Sequence, residues 1–176
     1  MFVLLLLSLT IPVAAALLLM LFRTSLTSQT ARWIALGGGI AAVLASLALA
    51  QAYQSRPASS EPTYYSPVDP GFEYRVPWFT ARTNQSAGDP VRLELHLGLD
   101  GISVALILLT TVVTFSCVLI SWNSIQDRTA EFFAALMLLE AGLVGVFCAF
   151  DIILFYVFFE FTLIPLFFLI GIWGGP

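Results

Sequence analysis

Five stretches of this chain are apolar for long enough to cross a lipid bilayer, and that limits every other reading of it. About 20 predominantly apolar residues in a helix span ~30 Å of hydrocarbon. Met1 to Phe22, Trp33 to Tyr53, Ile102 to Trp122, Phe132 to Phe150 and Ile152 to Trp173 each reach that length. Only 10% of the 176 residues are charged and 59% are apolar, with a mean hydropathy of +0.94. A water-soluble domain carries roughly 25% charged residues, so this surface needs lipid or a large partner as its solvent. The expected fold is all-α, a polytopic membrane helix bundle of five transmembrane helices with one long polar loop. The chain divides into two amino-terminal transmembrane helices (1–53), a polar loop (54–101) and helices three to five (102–176).

The first apolar stretch is expected to be retained rather than cleaved as a signal peptide. It has no positively charged start, and Ala14-Ala15-Ala16 is followed by further apolar residues up to Phe22. The loop carries Pro57, Pro62, Pro67, Pro70, Pro77 and Pro90, which break helices and central strands. A short hairpin is expected around Val91 to Leu97, where Arg92, Glu94 and His96 alternate with Leu93, Leu95 and Leu97. His96, the sole histidine, reads as a polar contact of that strand.

All seven basic residues are arginines, and the formal net charge is −4. No basic patch for nucleic acid is expected from that balance. Cys117 and Cys148 sit in apolar runs without His or Cys at ligand spacing, so both read as small core residues. No metal or other cofactor is expected in this chain. Arg23 and Arg32 flank the first connection and Arg128 lies in the third. Cytoplasmic arginine excess then places the amino terminus and the long loop on the extracytoplasmic side. Rows of small residues, Gly37, Ala41 and Ala45 in the second span and Ala141, Gly145 and Ala149 in the fourth, read as helix-packing surfaces.

Chemistry is expected at acids inside the apolar spans. Glu131, beside Asp127 and Arg128, reads as a solvated charge at a helix start, and Asp151 likewise as a helix-start charge. Glu160 differs. It is flanked by Phe158, Phe159 and Phe161 and lies ~12 Å into its span from Ile152, close to the bilayer centre. A charged group at that depth costs roughly 2.5–3.5 kcal/mol on insertion scales, so it is expected to be paired, hydrated or protonated. Burial favours its neutral form and a nearby cation its charged form. A carboxylate held between the two is suited to relaying protons. Pro165 cannot donate to the carbonyl of Phe161, and Thr162 adds a hydroxyl nearby, so both are expected to support Glu160. Glu140, in the middle third of the fourth span, is either a second proton site or a partner for a polar group on another helix. A purely structural scaffold, with these acids as helix glue, is the competing class.

The segment Gly98-Leu99-Asp100-Gly101-Ile102-Ser103 resembles the entry to the third helix of subunit M of NADH-quinone oxidoreductase, respiratory complex I. The run GLVGVFCAFDIILFYVFFEFTLIPLFFLIGIWG, from Gly142 to Gly174, is similar to the fourth and fifth helices of that subunit. The resemblance covers about Gly98 to Pro176; the first two helices match only in hydropathy and position. It implies an antiporter-like, proton-translocating subunit of a membrane arm, with other membrane-arm subunits and the lipid bilayer as partners. NADH, FMN, iron–sulfur clusters and quinone belong to other subunits of such a complex. The family's fifth-helix glutamate falls on Glu160, where it works with a lysine of the seventh helix. The family forms its channel from two inverted repeats, the first beginning at the fourth helix. This sequence stops after the fifth span, so the partner lysine is expected in a missing carboxy-terminal remainder. A multi-subunit sodium/proton antiporter or a membrane-bound hydrogenase shares the same helices and is the alternative within this class.

Overall fold

The structure, a computed structural model, describes residues 2–55, 73–81 and 91–174. Its elements follow in the order α1 (Phe2–Leu21), α2 (Ser28–Gln54), β1 (Tyr74–Ala81), β2 (Val91–Leu97), α3 (Gly101–Ile120), α4 (Thr129–Cys148) and α5 (Ile152–Trp173). All five helices are long and apolar enough to cross a membrane. They coincide with the five predicted spans to within a few residues, and the differences trace to caps. α2 starts before Trp33 because the Thr27 hydroxyl accepts the N–H of Thr30 at 3.2 Å. Asp100 starts α3 by accepting from Ser103 N at 2.6 Å. Asp151 starts α5 by accepting from Ile153 N and Leu154 N, at 2.9 and 3.0 Å. α4 instead begins at Arg128, a left-handed residue (φ 51°) that supplies no side-chain cap.

α4 is the central helix, packed against α1, α2, α3 and α5, and α5 packs chiefly on α4. Consecutive buried residues from Phe133 to Met137 show that this stretch of α4 is enclosed on every side. Two apolar clusters form the core. One, nearer the α1–α2 connection, gathers Leu19, Ala35, Val118, Phe133 and Met137. The other, nearer the strands, gathers Leu5, Leu49, Leu99, Ile107 and Val144.

Between the clusters the buried residues turn small and polar: Ser8 on α1, Ala42 and Ser46 on α2, Thr111 and Thr114 on α3, Glu140 on α4. Ser46 and Thr111 share a hydrogen bond of 2.8 Å across two helices.

The small-residue rows differ from expectation. Gly37 of α2 has open space where a Cβ would stand, and the buried seam runs through Ala31, Ala35, Gly39, Ala42 and Ser46. Every third or fourth residue of that helix is small, so composition does not say which row meets a neighbour. On α4 the close approach comes at Gly142 and Gly145. A Cβ on Gly142 would fall 2.6 Å from Thr162 Cγ2, and one on Gly145 would overlap the Phe158 ring. Ala149 lies just past the end of the helix.

The polar stretch holds a two-stranded antiparallel sheet, β1 with β2. β2 is the expected strand. Its partner contains Pro77, tolerated because the register shifts between Pro77 and Phe79, at a bulge in a two-stranded sheet that has only edges. Pro57, Pro62, Pro67, Pro70 and Pro90 lie outside the described residues. The end of β2 docks on the α4–α5 turn: Leu97 bridges Ala149, Gly98 N donates to Cys148 O, and Phe150 N donates to His96 O, both at 2.9 Å. The sheet and that turn therefore occupy one end of the bundle. At the other, Arg32 Nη2 donates to Ile125 O and Gln126 Oε1, each at 3.1 Å, and ties the start of α2 to the α3–α4 connection.

Candidate proton site

Glu140 is completely enclosed, with no exposed surface, and neither carboxyl oxygen has a hydrogen-bond partner among the described residues. Buried polar atoms are almost always paired, and an orphaned one points to a proton, a water or a functional role. The placement follows from α4 itself. The helix is central, it turns the Glu140 face inward with Met137 and Val144, and small or hydroxylated residues of α1, α2 and α3 are buried in the bundle as well. Ser8, Ser46 and Thr111 already spend hydrogen bonds on Leu5 O, Val43 O and Leu108 O respectively.

Glu160 stands mid-helix, as expected, but it is not buried within this chain. It lies on the exposed side of α5, in an open and mostly apolar furrow with Tyr156, Leu163, Ile164 and Phe167. The phenol of Tyr156, one turn earlier, interacts with its carboxylate. No cation pairs with either Glu140 or Glu160 among the described residues. Glu140 lies eight residues before the end of α4 and Glu160 eight residues after the start of α5, ~12 Å along each helix. Two adjacent antiparallel helices thus carry the acids at comparable depth, one sealed inside the bundle and one facing out of it.

Thr162 and Pro165 are buried on the other side of α5, toward α4. The Thr162 hydroxyl donates to Phe159 O at 2.7 Å and its methyl rests on Gly142, so it secures helix packing rather than serving Glu160. α5 continues through Pro165 to Trp173. Glu131 sits in the first turn of α4, paired with Arg128 and, at 3.4 Å, with Arg23. That is the aqueous-end role expected of it. His96 Nε2 lies 2.8 Å from Glu73 Oε1 and its ring stands by Phe150, which places it in a polar contact of the sheet. Cys148 is buried and Cys117 half-buried, both as free thiols. No group of three or more metal-ligating side chains forms among the described residues.

Sequence reasoning ranked Glu160 above Glu140, and the enclosure of Glu140 is the feature it missed. The usable signal was the run of small residues around it, Ala134, Ala135, Ala141, Gly142 and Gly145, which marks a helix enclosed by others.

No family model matches the chain. Among curated proteins it is 37% identical over 174 residues to NADH-ubiquinone oxidoreductase chain 4 of Prototheca wickerhamii, covering 95% of this chain and 31% of that protein. It is 34% identical over 164 residues to NADH-quinone oxidoreductase subunit M of Rhodobacter capsulatus, covering 92% of this chain and 28% of that protein. An 82-residue stretch is 50% identical to chain 4 of Mycosarcoma maydis, 47% of this chain and 17% of the relative. The chain thus spans less than a third of the length of these relatives. In fold it resembles a chain of the membrane-bound sulfane sulfur reductase, an archaeal respiratory membrane complex. That match has a TM-score of 0.64 at 19% identity and covers 93% of this chain and 22% of the other. Since the identity to the two long relatives extends over nearly every residue present, loops as well as spans, the chain resembles part of NADH-ubiquinone oxidoreductase chain 4 and NADH-quinone oxidoreductase subunit M along its whole length.

Proposed function

We propose that this chain is the amino-terminal part of a proton-translocating membrane subunit of NADH-quinone oxidoreductase. Electron transfer from NADH to quinone takes place in other subunits and drives proton movement here. The observation that carries this reading is the pair of mid-depth carboxylates, Glu140 and Glu160, on adjacent helices with no cation beside either among the described residues. A structural acid in lipid is expected to be matched with a partner in its own bundle. Among the described residues Glu140 has no hydrogen-bond partner and Glu160 meets only the neutral phenol of Tyr156, which suits groups that exchange protons with water or with residues of later helices.

In this reading Glu160 is the relay residue. Its open face on α5 receives the remainder of the same subunit, including the cation that the family resemblance implies. Glu140 is a second proton site inside the bundle. The other partners are the remaining membrane-arm subunits and the bilayer of the cell (inner) membrane, with the amino terminus extracytoplasmic. The subunit's own work is proton transfer, and the redox groups belong to other parts of the complex.

The test is Glu160→Gln in the full-length subunit, assembled in its complex. Gln keeps the shape and hydrogen-bonding capacity but carries no exchangeable acid proton. Assembly is expected to be retained, while NADH-driven proton translocation falls by roughly 10²-fold or more, the usual share of a positioned acid or base. Normal translocation in an assembled variant would reduce Glu160 to helix glue.

A further inference from the structure

α1 and α5 both pack on α4 but leave a crevice between them. At the arginine-bearing end of the bundle it opens into a cavity of about 240 Å³, lined by Met20, Leu138, Ile164, Phe168, Ile172 and Trp173 among others. Nearly all of this wall is apolar, and Met20, Ile164, Phe168 and Ile172 are exposed. Toward the other end the crevice continues past Phe161 to Leu9, Val13 and Val157, so the furrow runs along the helices rather than across them.

The apolar cavity ends at Arg128 and Glu131, and these two residues also line a second chamber, of about 390 Å³. The second chamber is polar. Arg23, Thr27, Ser28 and Thr129 stand in its wall. Two arginines face one glutamate there, which leaves a positive charge. The chamber also lies at the amino-terminal turn of α4, whose helix dipole adds to its positive character. Arg23 and Arg128 are each about half exposed, at 54% and 52%, and so remain accessible to a ligand while paired with Glu131. Trp173 lies under Arg128, its ring 6.0 Å from the guanidinium, at the boundary between the two chambers.

We propose that these joined chambers bind an anionic phospholipid, with its phosphate in the arginine-lined chamber and one acyl chain in the crevice between α1 and α5. Charge complementarity selects the headgroup: a zwitterionic lipid brings its own cation and gains less from the two arginines. The junction at Arg128, Glu131 and Trp173 matches the change from polar to apolar along one lipid molecule. A bound lipid would fill the space α1 and α5 leave over α4, the helix that carries Glu140.

The test is native mass spectrometry of the full-length protein reconstituted in nanodiscs of phosphatidylcholine doped with phosphatidylglycerol. Phosphatidylglycerol is expected to remain bound after the surrounding lipid is stripped away, and phosphatidylcholine is not. Arg128→Gln and Arg23→Gln should each lower retention about fivefold, the effect of one basic residue near a lipid surface. Met20→Trp, on α1 away from the Glu160 furrow, should block the crevice and lower retention without moving the melting temperature. Inorganic phosphate alone should not displace the lipid. The proposal fails if retention is indifferent to headgroup charge, if neither the arginine variants nor Met20→Trp changes it, or if phosphate competes freely. It also fails if the unaltered protein retains no lipid, as it would with another helix of the full chain seated in the crevice.

Discussion

The two mid-membrane glutamates separate what a residue type can reveal from what its surroundings decide. Glu160 stood out in the sequence because aromatic and aliphatic residues flank it on both sides of a span. Its depth was legible, and its face was not. α5 is apolar on all sides, so no periodicity marks which side is covered, and only the packing of α4 shows that Glu160 looks away from this bundle. Glu140 is the reverse case, sealed by neighbours that the sequence alone does not place. Its orphaned oxygens make a discriminating prediction. Replacing an unpaired buried polar group by an apolar one of similar shape is nearly neutral or stabilising, because no bond is lost and a desolvation penalty is removed. Glu140→Leu should therefore leave the melting temperature of the assembled subunit unchanged or raised, while slowing proton translocation. If Glu140 instead anchors the bundle through bonds to another helix, the variant should lose about 1–3 kcal/mol of stability, visible as a lowered melting temperature. Thr162 shows the same division at smaller scale. Its hydroxyl looked available to Glu160 but is spent on Phe159 O, one turn back in its own helix.

At the scale of elements, hydropathy located all five helices, and cap chemistry set their ends. The pairing of helices was less legible. Small residues are so frequent in α2 and α4 that several rows read equally well as contact surfaces. The structure distinguishes them by the space beside each glycine, and that yields paired predictions. Gly145 faces the Phe158 ring with no room for a Cβ, so Gly145→Ala should force α5 away from α4 at a cost of about 1–3 kcal/mol, the usual penalty of overpacking. Gly37 has nothing nearby, so Gly37→Ala should be neutral or should stabilise α2 by up to about 1 kcal/mol through helix propensity. Thermal unfolding in detergent measures both, and equal effects would mean that the α4–α5 contact is looser than described. The sheet was only half legible. The alternation in β2 announced a strand, whereas Pro77 argued against β1. A bulge at that point resolves the conflict, because it places the missing N–H where the ladder is already interrupted.

For the whole molecule, the two ends of the bundle differ in chemistry, and the difference makes the proposed membrane orientation testable. One end carries Arg23, Arg32 and Arg128 in its connections. Three tryptophans gather there as well. Trp33 and Trp122 meet edge to face at 5.4 Å, and Trp173 Nε1 donates to Asp127 O at 3.2 Å. Tryptophans mark a membrane–water interface on either side, and the arginines beside them are what the proposed orientation takes as cytoplasmic. The opposite end is held by backbone bonds, through which β2 extends onto the α4–α5 turn, so the sheet and that turn share one side. Were the connections independent, each would need its own topological test. Here two positions suffice, because Arg32 ties α2 to the α3–α4 connection and the Leu97–Ala149 bridge ties the sheet to the other end. In a background with Cys117 and Cys148 replaced by alanine, Ser124→Cys should react with a membrane-impermeant thiol reagent only from the cytoplasmic face. Arg75→Cys should react only from the opposite face. Labelling of both from one side would break the five-span arrangement itself. Labelling from opposite sides but in the reversed sense would keep the bundle and overturn its orientation.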